Sequence, residues 1–285
     1  MVDKLEHLLK QIAIAEKEDN VLRQTDLLRE AVETAAESEG HGSAQHIRLL
    51  SEYGGMLKYI GKTKEAIRSL SEVCSYLAPC CSLAMTDEYC TAVINLAGAY
   101  KYDGNFEESE RLYLEAKNAL PEKDYRYASI CNNLAAVYEQ TGRMKEAVES
   151  MEEALALIPD SEEWTDKYVT SLGNLSSALI DLSKELSLNN TQRDALLQRA
   201  GEHLASGITK LTASGHTDQI VFASLLNQRA TLRAMQGFFE DALADYRAAY
   251  KVCLEKLGPE SSACSVIRTN MDRLKASSGP ESTGE

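Results

Sequence analysis

The fold is decided by two stretches of sequence, VINLAGAYKYDGNFEESERLYLEAKNALP (Val93–Pro121) and CNNLAAVYEQTGRMKEAVESMEEALALIP (Cys131–Pro159), which align at an offset of 38 residues. The identical residues include Asn95 and Asn133, Leu96 and Leu134, Tyr100 and Tyr138, Gly104 and Gly142, Ala116 and Ala154, and Pro121 and Pro159. Similarity at a fixed period of this length indicates a repeat architecture, in which each copy is one structural unit that packs against the next.

Each copy has the pattern of a helical hairpin. Leu96 and Tyr100 are four residues apart, so they lie on one face of a first helix. Ala97 is small enough for a second helix to approach closely. Gly104 suits the left-handed cap that ends the first helix, and Pro121 ends the second helix because proline is not tolerated in a helix interior. The sequence therefore predicts two antiparallel helices in each copy.

The order of Leu-Ala, Tyr, Gly, Ala and Pro in both copies resembles the tetratricopeptide repeat. The long period, together with N-N-L-A at Asn132–Ala135 and L-G-P-E at Leu257–Glu260, is similar to the kinesin-light-chain form of that repeat. The His-Pro of that form's linker is missing, so no motor-cargo role is carried over. The resemblance implies an all-α, right-handed superhelical solenoid of antiparallel helix pairs, whose first helices line a concave groove.

Weaker copies on both sides extend the repeat over one domain, 1–277, with six hairpins and a C-terminal capping helix. The expected segments are a degenerate N-terminal hairpin at 2–38, repeats at about 43–77, 87–121, 125–159, 162–211 and 217–256, and the capping helix at 260–276. The first helix of the fifth hairpin is expected to run to about Leu186. The polar tail, 278–285, is predicted to be disordered.

Composition and charge narrow the function classes. The formal net charge is −14. An acidic chain without a basic patch argues against nucleic-acid binding, whereas the same negative charge is compatible with a partner that has a basic surface. The chain has no apolar run of the length of a membrane span and no signal-peptide pattern, so a cytoplasmic protein is expected. Seven irregularly spaced cysteines predict reduced core thiols. The Cys80–Cys81 pair, in a connecting loop, is the one place left for redox or metal chemistry.

A candidate binding site lies along the stripe of each first helix that packing does not use. Asparagine amides there both donate and accept hydrogen bonds, so they can pair with the backbone of an extended peptide, and tyrosines add apolar contact with a polar tip. In the tetratricopeptide family such asparagines hold peptides. The predicted peptide- or partner-binding residues are Asn95, Tyr102, Asn132, Asn133, Asn174 and Asn227, with Lys58, Tyr59 and Lys101 near the turn ends. The alternative is that the amides cap loops or bond to neighbouring helices.

Other kinds of site find little support. The chaperone-binding subfamily clamps a terminal carboxylate with lysines and arginines, and the absence of cations at the aligned places disfavours such a clamp here. Those places hold Ser51, Gly55, Asn95, Ser129 and Asn133. His41 and His46 share one segment but have no acidic or cysteine companion at a fixed spacing, so solvent-exposed polarity is expected rather than a metal. The chain has no phosphate-binding loop and no zinc-protease or nucleophile motif. No catalytic residue, metal or cofactor is therefore predicted.

The sequence predicts a non-catalytic adaptor that binds a peptide or a partner protein in the groove. The alternative is a peptide-sensing regulatory protein. That alternative requires a separate output partner, because residues 1–38 have the pattern of another helix pair and not of an output module. The identity of the partner and the oligomeric state stay open at this stage.

Overall fold

A computed structural model describes residues 2–78, 87–120, 123–159, 161–185 and 187–277. The Cys80–Cys81 pair and the tail 278–285 lie outside these ranges. Within them the regular secondary structure is helical, without a β-strand, and the predicted all-α class is confirmed. None of the helices in these ranges combines the length and the apolar character that a membrane crossing requires.

The helices group into two compact units, Met1–Gly142 and Arg143–Glu285. The first unit contains α1 (Val2–Lys17), α2 (Val21–Glu39), α3 (Ala44–Tyr59), α4 (Thr63–Leu77), α5 (Asp87–Tyr102), α6 (Phe106–Ala119) and α7 (Tyr125–Gln140). The second contains α8 (Met144–Leu155), α9 (Thr165–Leu182), α10 (Asn190–Ala213), α11 (Ile220–Met235), α12 (Phe239–Leu257) and α13 (Ser262–Ser277). Six hairpins and one capping helix require thirteen helices, and the described ranges contain thirteen. The single repeat domain expected for 1–277 stays a prediction.

In the first unit, every helix packs against its neighbour along the chain. Only residues 60–62 separate α3 from α4, and the two helices are in contact, so they run antiparallel. Small residues permit this contact: a Cβ at Gly54 would lie 2.7 Å from Cγ of the fully buried Leu70. In the next pair, Oγ of Ser109 donates to the carbonyl oxygen of Ala97 at 2.8 Å. The first helices α3, α5 and α7 also contact one another in order and form one continuous face.

The second unit repeats this packing around its own apolar core. The first helices α9 and α11 are in contact, and a Cβ at Gly207 of α10 would lie 2.9 Å from Cδ1 of Leu225 in α11. A charged cluster joins α11 to α12. The Asp245 carboxylate accepts from Arg229 at 2.7 and 2.8 Å and from Arg233 at 2.7 Å. Because the aspartate side chain is only 8% exposed, these bonds supply the partners that its burial requires.

The glycines that were predicted to end the first helices adopt the expected backbone conformation. Gly104 and Gly142 have φ of +80° and +74°, in the left-handed region that side chains of other residues rarely enter. The aligned glycines therefore follow the ends of α5 and α7.

The expected end of the first helix of the fifth pair, near Leu186, is wrong. Helix α9 ends at Leu182, and the next residues form a tight turn. Oγ of Ser183 donates to the Ile180 carbonyl at 2.6 Å, and the amide of Lys184 donates to the Asp181 carbonyl at 3.1 Å. These shorter-range bonds replace the next helical turn.

Candidate functional site

Five of the nine predicted binding residues come together in the first unit. Nζ of Lys58 lies 5.6 Å from the centre of the Tyr59 ring and 5.9 Å from that of the Tyr102 ring. Nζ of Lys101 lies 5.6 Å from the centre of the same Tyr102 ring and donates to Oδ1 of Asn133 at 2.8 Å. We call these five residues the two-lysine cluster. It spans the adjacent first helices α3, α5 and α7.

The helix ends explain why these residue types are tolerated there. Lys58 and Lys101 are in the last turns of α3 and α5, where the carbonyl end of a helix favours a cation. Tyr59 and Tyr102 follow them directly and expose 76% and 59% of their surface. The two rings are thus presented to solvent beside two half-buried lysines. Packing of the hairpins does not require such an arrangement.

The electrostatics of the cluster are those of unneutralised cations. Burial lowers the pKa of Lys58, and burial together with the neighbouring Lys58 charge lowers the pKa of Lys101. Neither lysine forms an ion pair within the described part of the chain. The tyrosine rings offer cation–π attraction, which is worth about 0.5–1 kcal/mol at exposed sites. The charges are therefore supported by rings and one amide, not by carboxylates.

Two residues that sequence reasoning missed shape the floor of the cluster. A Cβ at Gly98 of α5 would lie 3.3 Å from Oη of Tyr113 and 3.5 Å from Nζ of Lys58. Tyr113 is buried, and burial raises the pKa of its phenol, so the hydroxyl is neutral. The alignment contained a signal for this place, because Gly98 stands where the second copy has Ala136.

The predicted asparagines divide into two groups. Asn133 accepts from Lys101 and donates to the Ser129 carbonyl at 2.9 Å, while Oδ1 of Asn227 accepts from Asn270 at 3.2 Å. These two side chains bond within the fold, which is the alternative that the sequence left open. Three others make no side-chain hydrogen bond within the described ranges: Asn95, Asn132 and Asn174. Asn174 and Asn227 belong to the second unit, on α9 and α11.

The histidine pair differs from its prediction as exposed polarity. His46 is only 2% exposed, and its ring packs edge-on against His41 and Tyr76. Glu72 supplies the acidic companion that the sequence spacing did not reveal. Nδ1 of His46 accepts from the Gly42 amide at 3.1 Å, so the neutral ring carries its proton on Nε2. In metal-bound histidines, by contrast, the nitrogen that does not bind the metal usually donates a hydrogen bond. The geometry explains a buried histidine and does not favour a metal site.

Comparison with known proteins agrees with the hairpin geometry. A family model described as "Tetratricopeptide repeat" matches residues 87–160, which span α5 to α8. Residues 87–160 belong to the tetratricopeptide repeat family. The predicted family is thereby confirmed. No curated protein matches the chain.

Solved structures show the same fold at low sequence identity. A Podospora anserina protein described as a putative kinesin light chain with nearly identical tetratricopeptide-like repeats is 17% identical, with a TM-score of 0.62 over 73% of this chain and 95% of that one. The apo form of RapI is 14% identical, with a TM-score of 0.67 over 97% and 71%. A Rap protein complexed with Competence and Sporulation Factor is 14% identical, with a TM-score of 0.58 over 96% and 75%. The likeness to kinesin-light-chain and other tetratricopeptide repeats holds at the level of the fold, an all-α repeat solenoid.

Proposed function

We propose that this chain is a non-catalytic scaffold that binds a peptide or a partner protein on the face formed by its first helices, the concave groove implied by the resemblance. The tetratricopeptide fold is typical of interaction scaffolds. The observation that carries the proposal is the two-lysine cluster. Its exposed tyrosine rings and unneutralised ammonium groups lie on adjacent first helices, and tyrosine is enriched where proteins bind one another.

The unpaired amides supply a mode of recognition for such a ligand. Asn95 and Asn132 lie on α5 and α7 of the same unit and have no side-chain partner within the described ranges. Each offers a donor and an acceptor, which is what the backbone of an extended peptide needs. In the second unit, Asn174 of α9 also has no side-chain partner within the described ranges, whereas Asn227 of α11 would have to give up its bond to Asn270 to bind a ligand.

A second candidate function is a peptide-sensing regulatory protein that acts with a separate output partner. One of the similar structures is a Rap protein complexed with Competence and Sporulation Factor, and this observation favours a ligand-dependent role. The two functions differ in one measurable respect. A regulator changes its affinity for a second protein when the ligand binds, whereas a scaffold holds its partner without such coupling.

Affinity capture from the native cell with matched variants tests the proposal. Asn132→Ala/Asn133→Ala and Tyr59→Ala/Tyr102→Ala change the proposed surface, while Asn118→Ala changes an exposed asparagine of α6. We expect the wild type and the Asn118 variant to recover the same partner, and the two double variants to lose it. Equal recovery by all four proteins would remove the first-helix face of this unit from the function.

A further inference from the structure

The tight turn between α11 and α12, in the second unit, exposes three large apolar side chains. Met235 ends α11, Phe239 begins α12, and only residues 236–238 separate the two helices. Phe238 exposes 57% of its surface, Met235 44% and Phe239 42%. Because the three side chains belong to one short reversal of the chain, they form a local apolar patch, and such patches mark interaction sites. We call Met235, Phe238 and Phe239 the apolar turn.

Hairpin geometry does not require a ring at Phe238. This residue follows Gly237, which has a positive φ, and the same position after α3, α5 and α7 is polar: Lys62, Asn105 and Arg143. Asn105 also caps α6, since its side chain accepts from the Glu108 amide at 3.2 Å. Phe238 stands at the cap of α12 and makes no such bond. The chain therefore has an exposed ring where its other turns have a polar side chain.

Carboxylates flank the apolar turn. Glu240 and Asp241 directly follow it, both are exposed, and neither carboxylate has a partner within the described part of the chain. Acidic residues favour the first turn of a helix, which explains their presence but leaves them free to pair with a cation from outside. The guanidinium of Arg233 is already bound to Asp245 at 2.7 Å, and Arg247 lies about 9 Å further along α12. The charge offered beside the apolar turn is thus negative.

We infer that the apolar turn is a second interaction surface, and that it binds a basic segment of a partner protein in which an arginine stands next to an apolar residue. A guanidinium both stacks on an aromatic face and pairs with carboxylates. One arginine can therefore contact the Phe238 ring together with Glu240 or Asp241, while its apolar neighbour covers Met235. The net charge of −14 favours the approach of such a segment. This surface is separate from the first-helix face of the first unit.

The same carboxylates argue against two other occupants. In a two-fold symmetric dimer a patch meets its own copy, so the acidic groups of both copies would come together, and like charges facing each other across an interface are costly. An anionic membrane surface attracts basic segments and not acidic ones. A basic partner segment is the occupant that matches both the ring and the charge.

Fluorescence anisotropy with defined peptides tests the inference. The probes are fluorescein-labelled peptide amides of equal length in which arginine alternates with leucine, arginine with serine, or glutamate with leucine. An acidic chain attracts any cationic peptide, so binding is measured at about 0.15 M salt, where the screening length is about 8 Å. Burial of large apolar side chains changes affinity by about tenfold or more. We expect the arginine–leucine peptide to bind about tenfold more tightly than the arginine–serine peptide, and the glutamate–leucine peptide to bind most weakly.

One pair of variants connects this binding to the exposed ring. Phe238→Asn gives the turn the residue that caps α6 in the turn after α5, so the fold should be preserved, with unchanged far-UV circular dichroism. We expect it to weaken binding of the arginine–leucine peptide about tenfold. Leu22→Asn removes an exposed apolar side chain of α2 and should leave the affinity unchanged.

A second pair of variants tests the charge. Glu240→Gln/Asp241→Asn should weaken binding of both arginine peptides about fivefold, because exposed ion pairs contribute modestly. Glu162→Gln/Glu163→Gln removes two adjacent exposed carboxylates elsewhere in the second unit. It lowers the net charge equally and should leave the affinity unchanged.

A methionine of the patch reports on the site directly. In protein labelled with ¹³C at the methionine methyl groups, the signal that is missing in Met235→Leu identifies Met235. We expect the arginine–leucine peptide to shift this signal in the wild type and to shift it much less in Phe238→Asn.

The outcomes decide between the possible occupants. Equal affinity of the wild type and Phe238→Asn for the arginine–leucine peptide, or equal losses in the control variants, would overturn the inference. Equal binding of the glutamate–leucine peptide would overturn the basic character of the partner. Dimers of the wild type in sedimentation velocity that Phe238→Asn abolishes would assign the patch to a second copy instead. Asn132→Ala/Asn133→Ala should bind the peptide like the wild type, so failure of the first-helix face and failure of the apolar turn are distinguishable.

Discussion

Two adjacent glycines of α3 provide a sharp test of how the helix pairs pack. Gly54 and Gly55 lie in the same helix, and neither has the positive φ that would require glycine. Their surroundings differ. A Cβ at Gly55 would meet nothing within 4 Å, whereas a Cβ at Gly54 would lie 2.7 Å from Cγ and 2.9 Å from Cδ2 of Leu70. Replacement by alanine is thus expected to have opposite effects at neighbouring positions.

The expected magnitudes follow from this geometry. Alanine is favoured over glycine inside a helix by about 0.8–1 kcal/mol, so Gly55→Ala should stabilise the protein by up to about that amount. Gly54→Ala gains the same helix propensity, but it also forces a fully buried leucine to move, and overpacking of a core costs about 1–3 kcal/mol. Since the propensity gain cancels in the comparison, Gly54→Ala should be less stable than Gly55→Ala by about 1–3 kcal/mol.

Urea denaturation followed by circular dichroism measures this difference. Because a chain with two compact units can unfold in more than one step, hydrogen exchange of peptides from α3 should accompany it and localise the change. A double variant completes the test. Leu70→Ala removes the side chain that a Cβ at Gly54 would meet, so Gly54→Ala should become stabilising in the Leu70→Ala background. If Gly54→Ala is as stable as Gly55→Ala in the wild-type background, close packing of α3 on α4 at this point is wrong.

Three further predictions concern single polar contacts. Asp245→Asn keeps the shape of the side chain but leaves two partly buried guanidinium groups without their carboxylate, and urea unfolding should show a loss of about 2–3 kcal/mol. Ser109→Ala removes the buried hydrogen bond to the Ala97 carbonyl and should cost about 1 kcal/mol in the same assay; no measurable loss would contradict it. Asp124 caps α7 beside an arginine, and this arginine, together with the helix amides, lowers the pKa of its carboxyl. The Asp124 carboxylate therefore stabilises the fold above the pKa of about 4 that it has in the unfolded chain, and this stabilisation is lost as the pH falls through the lowered pKa of the folded state. The stability difference between wild type and Asp124→Asn should consequently shrink in acid.

The repeat could be predicted from the sequence because its determinants are local. Leu96 and Tyr100 define a helical face, and the aligned glycines define the turns. The end of α9 could not be predicted in this way. A serine hydroxyl and two short-range backbone bonds close that helix at Leu182, while the apolar pattern continues beyond it to Leu186.

The candidate site was only partly predictable, because it depends on how helices pack together. The face of each first helix that packing does not use predicted each member of the two-lysine cluster separately. It did not show that Lys58 of α3 and Lys101 of α5 face one tyrosine ring, since that contact depends on packing between hairpins. The same limit applies to Glu72, which reaches the histidine pair from α4.

The hydrogen bond between Lys101 and Asn133 makes the charge balance of the two-lysine cluster depend on a single side chain. An amide there orients the ammonium of Lys101 and leaves its charge without a counter-ion. An aspartate at the same position would offer an oxygen of similar reach together with a negative charge, so the chain would then contain its own counter-ion. Replacing one nitrogen by one oxygen would thus convert a hydrogen bond to a neutral amide into an ion pair between α5 and α7 without moving a helix.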